Sequence, residues 1–157
     1  MSVRVQREDF DVGREVERVM RAAGDVGGIA SFVGVVRRGS GESAIKSMTL
    51  EHYPAMTEKE LARIEGEACA RWPIAGSLVI HRYGRLVPGD RIVLVITASS
   101  HRRAAFEACE FLVDWLKTKA PFWKSEESAQ GPRWVAARTA DDEAAARWSK
   151  ESSRFKE

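Results

Sequence analysis

The stretch GSLVIHRYGRLVPGDRIVLVITAS, Gly76 to Ser99, decides the fold. It reads as two strands, Gly76–Leu86 and Arg91–Ser99, rich in β-branched residues and joined at Pro88-Gly89-Asp90. Proline presets the first corner of a turn and glycine reaches angles closed to other residues, so this tripeptide reverses the chain. Tight reversals build antiparallel pairs, because parallel neighbours need a long crossover. Ile92 to Ile96 is apolar at every position. A strand without alternation is covered on both faces, which puts this one at the centre of a sheet.

Outward from this core, strands and helices interleave. Ser100 reads as the cap of a helix in which Ala105, Ala108, Cys109, Leu112, Val113 and Leu116 form one apolar stripe; Pro121 stops it. Short strands follow near Phe122–Glu127 and Arg133–Arg138 around a Gln130-Gly131 turn, then a loosely docked helix from Thr139. Upstream, Val3 and Val5 alternate with polar residues as a first strand, and Asp11 caps a helix over about residues 12–22. Ile29–Arg37 and Ser47–Tyr53 are strands on either side of a polar loop, RGSGES. Pro54 opens a helix that runs to about Arg71, where Trp72-Pro73 ends it, since the residue before a proline disfavours helical geometry. The pattern predicts an α+β fold: a mixed or antiparallel sheet with packed helices. It predicts a single domain over residues 1–148 and a charged C-terminal tail over 149–157.

Lys and Arg outnumber Asp and Glu by only 25 to 23, a balance that argues against a general nucleic-acid binder and leaves room for a local cationic pocket. Cys69 and Cys109 sit at apolar helix positions with no CxxC pair and no Cys/His cluster at zinc spacing, so no structural metal site is expected. Two thiols without a disulfide framework suit a reducing compartment. The N-terminal MSVRVQREDF has no apolar signal core and the apolar run Ile92–Ile96 is too short to cross a bilayer. A cytosolic protein with no membrane association is the expectation.

Local rules are broken in three places. The helix after Ser100 opens on His101, Arg102 and Arg103, cations that oppose the helix dipole at roughly 0.3–1 kcal/mol each. Together with the free N–H groups there they make an anion site suited to a phosphate, unless they simply extend into solvent. In Lys117-TKAPFW-Lys124, Lys117 falls about 40° around the helix from Val113, at the stripe's edge, where a partly buried lysine can serve acid/base or nucleophilic chemistry. A cation that merely complements the helix C-terminus explains it equally. Phe122 and Trp123 pack in the core or offer an aromatic face to a flat ligand. Arg37 closes a strand weakened at Gly34, as a phosphate clamp or as a solvated strand end. Gly27-Gly28 is not a dinucleotide fingerprint, and His52 and His81, on strands, read as structural histidines.

Several blocks, taken together and in order, resemble the molybdopterin synthase catalytic subunit family. They are Gly28-IASFVGVV-Arg37, Leu50-EHYPA-Met56, Ile80-HRY-Gly84, Pro88-Gly89-Asp90 and Ser100-His101-Arg102 with Ala105-Phe106. Asp114-Trp115-Leu116-Lys117, Pro121-FWKS-Glu126 and Trp134 continue the match, which spans about residues 3–148 in the family's order. The resemblance implies an α/β-hammerhead fold and a sulfurtransferase needing no metal or organic cofactor. It implies a homodimer at the core of a heterotetramer, each copy binding a small ubiquitin-like carrier whose C-terminal Gly-Gly thiocarboxylate supplies sulfur. The implied substrate is cyclic pyranopterin monophosphate and the product the molybdopterin dithiolene. Lys117 and Lys124 match the family's active-site lysines. Ser125 and Glu126, Arg37 with the backbone of Val35 and Val36, and His101 with Arg102 match its substrate-binding positions, the last two contributed across the dimer. Phe32 and Arg138 match further positions near the pocket. The competing class is a non-catalytic module binding a nucleotide or another anionic ligand in the same cationic pocket.

Overall fold

A computed structural model describes residues 2–135 and 139–150. In chain order these form β1 (Ser2–Gln6), α1 (Val12–Ala23), β2 (Gly28–Val35), β3 (Ile45–His52), α2 (Pro54–Arg71), β4 (Gly76–Arg82) and β5 (Gly84–Leu86). There follow β6 (Arg91–Ser99), α3 (Arg102–Thr118), β7 (Phe122–Ser128), β8 (Gly131–Val135) and α4 (Thr139–Lys150). The strands make two four-stranded sheets, ordered β1-β4-β6-β2 and β5-β3-β7-β8. β1 and β4 run parallel and every other pair antiparallel, so the architecture is the expected mixed α+β.

The first sheet is covered twice because its central strands are apolar on both faces. Leu78, Ile80, Leu94 and Ile96 meet Phe10 and Val19 on the α1 side. Val79, Val93 and Val95 meet Leu61, Ile64 and Ala68 of α2 and Ala105, Ala108 and Leu112 of α3 on the other. Asp11 caps α1 as expected, accepting from the Arg14 amide at 2.9 Å.

Gly76–Leu86 is not one strand. Gly84, at φ 89°, breaks it, and the chain leaves the first sheet to enter the second as β5. Pro88-Gly89-Asp90 therefore joins strands of different sheets, and the antiparallel partner of β6 is β4, reached across that excursion. The seam between the sheets holds a smaller core of Val36, Met48, Leu50 and Leu86, with Tyr83, Ile92 and Phe122 packed against it. β2 ends at Val35 after a register shift between Gly34 and Val35, short of the expected Arg37. The cap of α3 is His101, one residue later than Ser100, and its side chain makes no capping hydrogen bond.

The last helix is anchored rather than loosely docked. Trp148 is 5% exposed and meets Trp72 and Phe111 edge-on, with ring centroids 5.4 and 5.6 Å away. Its indole N–H donates to Asp114 at 2.7 Å, and Arg147 pairs with Glu110 and Asp114. Trp148→Ala should cost about 3–5 kcal/mol in urea unfolding. Trp134, 63% exposed on β8, should tolerate alanine within about 0.5 kcal/mol.

Candidate functional site

Sheet register sorts the candidate residues into two ends. β2 and β6 pair from Gly28 opposite Ser99 to Val35 opposite Arg91. α3 follows β6 after a two-residue turn and packs back along β6 and β2. Its first turn lies beside the Gly28–Ser99 end; its last lies toward the Val35–Arg91 end, where His81 pairs with Val93.

At the first end the chain comes into backbone contact. The Gly27 amide donates to the Ser99 carbonyl at 3.0 Å, and a Cβ on Gly27 would stand 2.0 Å from the Ser100 carbonyl oxygen. A Cβ on Gly28 would press on the Arg102 Cα at 3.2 Å. The glycine pair thus seats the N-terminus of α3, a role that the absence of a dinucleotide motif concealed. His101 and Arg102 are exposed, and among the described residues neither side chain has a partner; Arg103 turns away to Glu107 at 2.8 Å.

At the other end Lys117 is exposed, not partly buried. The buried sector of α3 is Ala104, Ala105, Ala108, Cys109, Phe111, Leu112 and Trp115. Lys117, nine residues past Ala108, sits roughly 180° around the helix from that residue. Val113, the reference for the 40° offset, is itself only half-buried. Lys124 is half-buried on β7, in register with Leu50 of β3 and Val135 of β8. Strand alternation puts Phe122, Lys124 and Glu126 on the face that carries Met48 and Leu50, hence toward the seam. Ser125 points to the opposite face, in register with Thr49 and Trp134, so it does not join Lys124 and Glu126. Glu126 pairs with Arg133 at 3.6 Å. Phe122 packs at the seam, whereas Trp123 lies edge-on to Tyr53 at 4.7 Å.

Arg37 is exposed just beyond β2. Val36 is buried and fixed by the Pro88–Asp90 turn: its amide donates to Asp90 O at 2.8 Å and its carbonyl accepts from Gly89 N at 2.9 Å. Val35 is 49% exposed. Gly34 answers to packing, since a Cβ there would meet Val93 Cγ1 at 2.6 Å. Phe32 is half-buried against the α2–α3 core. Arg138 lies outside the described residues. Beside this strand end Arg38, Glu42, Lys46 and Pro88 help line a cleft of about 410 Å³, to which Lys117 and Lys124 do not contribute. Among the described residues no group of three or more His, Cys, Asp or Glu is arranged to hold a metal.

His81 joins the lysines. Its ring is 7% exposed and stacks on Phe122 at 3.8 Å and 15°. Nδ1 lies 2.8 Å from the Arg82 carbonyl; a carbonyl only accepts, so Nδ1 carries the hydrogen and the neutral tautomer is set. Burial first, then the positive charges of Lys117, His52 and Lys124, hold its pKa down at about 4 against a favourable bond to Arg82. Both lysines therefore act on one buried ring. His52, 5.6 Å from Phe122, is also held low, by burial above all. The signal that points to His81 is an ionisable residue inside a strand buried along nearly its whole length.

A family model described as MoaE protein matches residues 5–119. The chain belongs to the MoaE protein family. The molybdopterin synthase catalytic subunit of Ralstonia nicotianae is 52% identical over 147 residues, covering 94% of this chain and 84% of that one. The Burkholderia ambifaria molybdopterin biosynthesis MoaE protein superposes with a TM-score of 0.81 at 49% identity, covering 96% and 99%. A complex of subunits 1 and 2 of the Helicobacter pylori molybdopterin-converting factor gives 0.67 at 20% identity, covering 87% and 90%, a likeness of fold alone. The role of the family is enzymatic: sulfurtransferase-type chemistry in molybdopterin formation, a step of molybdenum cofactor biosynthesis.

A low pKa for His81 has a signed consequence. Between pH 6.5 and about 4 the unfolded chain takes up a proton that the folded ring refuses, so stability rises with pH across that window and falls on acidification. Replacing His81 with Phe should flatten this part of a urea-stability profile measured from pH 4 to 8, leaving the slope due to His52 and, at the acid end, Asp9. An unchanged slope would show that His81 titrates normally.

Proposed function

We propose that the chain is the large subunit of a molybdopterin synthase. It moves sulfur from the thiocarboxylated C-terminal Gly-Gly of a small ubiquitin-like carrier to cyclic pyranopterin monophosphate, and it works in the cytosol. What supports this reading is that the charges of Lys117, on a helix tethered to one sheet, and Lys124, on a strand of the other, are both felt at the same buried histidine, whose ring stacks on Phe122 two residues before Lys124. Two cations at one corner suit an anionic guest and the charge that develops as its sulfur is transferred. No helix among the described residues is long and apolar enough to cross a membrane.

Lys117, exposed at the helix end, is open to an incoming carrier tail and acts on the thiocarboxylate carbon as acid/base or charge stabiliser. Lys124, with Glu126 on its face, holds the pterin and its developing charge. Arg37, at the Val35 end of β2, supplies a further positive charge there. His101 and Arg102 cannot reach this corner within one chain. Arg102 and Lys117 are fifteen residues apart on α3, about 22 Å along its axis, and both side chains lean toward the helix N-terminus, which leaves the gap unclosed. A small monophosphate touching both sets needs the first turn of a second copy, which supports a dimer with sites shared between chains.

The direct test mixes the protein with thiocarboxylated carrier and precursor and looks for a dithiolene pterin; binding of the precursor with no product would favour the binding-module reading. Lys117→Ala should reduce turnover roughly 10²-fold or more with an unchanged circular dichroism spectrum, and undiminished turnover removes Lys117 from the mechanism. Arg102→Ala should raise KM for the precursor about tenfold with kcat nearly unchanged; an unaltered KM contradicts a phosphate role.

A further inference from the structure

We infer that His81 is a positioning residue, whose ring, stacked on Phe122, sets the lysine-bearing strand β7 against the first sheet and so fixes Lys124 relative to Lys117. The inference rests on the two-lysine reading above and adds a residue to it. Lys117 belongs to α3, which packs on the first sheet; Lys124 belongs to β7, in the second. The two sheets are separate hydrogen-bonded ladders, so side chains at the seam decide how they sit together.

His81 and Phe122 make such a contact beside the lysines. Phe122 is the first residue of β7, two positions before Lys124, and its amide is bonded to Ala120 O at 2.8 Å. The His81 ring lies nearly parallel to it and is held in plane by the bond from Nδ1 to Arg82 O. Arg82 is itself tied down, donating from Nε to Arg7 O at 2.9 Å and from Nη1 to Arg91 O at 2.8 Å. The line of contacts thus runs from the end of the first sheet, through one ring face, into the start of β7.

A plain core filler would not call for a histidine. Lys117 from α3, Lys124 from β7 and His52 from β3 all oppose charge on this ring, so a titratable group here is a burden unless its N–H is used. That N–H serves Arg82 O at the point where β4 leaves its sheet. The ring face supplies the stack and the N–H fixes its direction.

The test compares His81→Ala, His81→Phe and Phe122→Leu with the parent at a temperature where each is folded by circular dichroism. His81→Ala should lower kcat about tenfold or more with KM for the precursor within about threefold, the pattern of a displaced group rather than a lost binding contact. His81→Phe keeps the stack without the N–H that directs it and should recover kcat part-way, to a rate between those of the alanine variant and the parent, and Phe122→Leu should reproduce the alanine defect. In ¹³C-methylated samples the Lys124 dimethylamine resonance should move in His81→Ala and return part of the way in His81→Phe, while that of Lys59 on α2 stays put. If His81→Ala fails to fold, Phe122→Leu carries both readouts. A parental kcat in the alanine variant, a phenylalanine variant as slow as the alanine one, or an unmoved Lys124 resonance overturns the inference. A parent enzyme that makes no dithiolene pterin sinks the sulfur-transfer reading instead, and the resonance arm still decides the positioning of Lys124.

Discussion

The constraint on which the rest of the molecule hangs is that Ile92–Ile96 has no face it can leave to water. Val93 and Val95 need one cover, Leu94 and Ile96 another, and the chain supplies α2 with α3 on one side and α1 on the other. Covering β6 this way makes α3 retrace the strand it follows. Its cationic first turn then ends up at one end of the sheet and Lys117 at the other. The placement of charge follows from the burial of hydrocarbon.

A second consequence lies at the seam. Gly84 takes the chain out of the first sheet, so the second sheet is joined to the first by connecting segments and by a core of a few side chains. Lysines carried by two such bodies are only as well placed as that contact is firm. A stacked, neutral, backbone-anchored ring is a firm one: flat, incompressible and fixed in its tautomer.

Much of this was legible in the residues. Asp11 announced α1, Pro54 and Trp72-Pro73 bracketed α2, and the unbroken apolarity of Ile92–Ile96 identified the central strand, because each signal is local and steric. What escaped depends on contacts distant in sequence. Nothing in HRYGRL says that Gly84 adopts a positive φ and hands β5 to another sheet. The sequence places Lys117 at the edge of a buried stripe, but Phe111 and Trp115 take the buried side, leaving Val113 half-buried against the core and Lys117 exposed. The resemblance groups Ser125 with Lys124 and Glu126, whereas adjacent strand residues face opposite ways. Recognition of the family came from the joint order of its blocks. The gathering of Lys117, Lys124 and His81 required the fold.

The length of α3 has a genetic corollary. If one guest takes its phosphate grip from the first turn of one chain and its lysines from another, each active centre is a mosaic of two gene products. A chain damaged at Arg102 and a chain damaged at Lys117, each impaired as a pure population, would regain partial function when co-expressed. In their mixed dimers one of the two centres draws both intact halves. Two defective alleles would then complement each other, and a rigid rod of seventeen residues would be the reason.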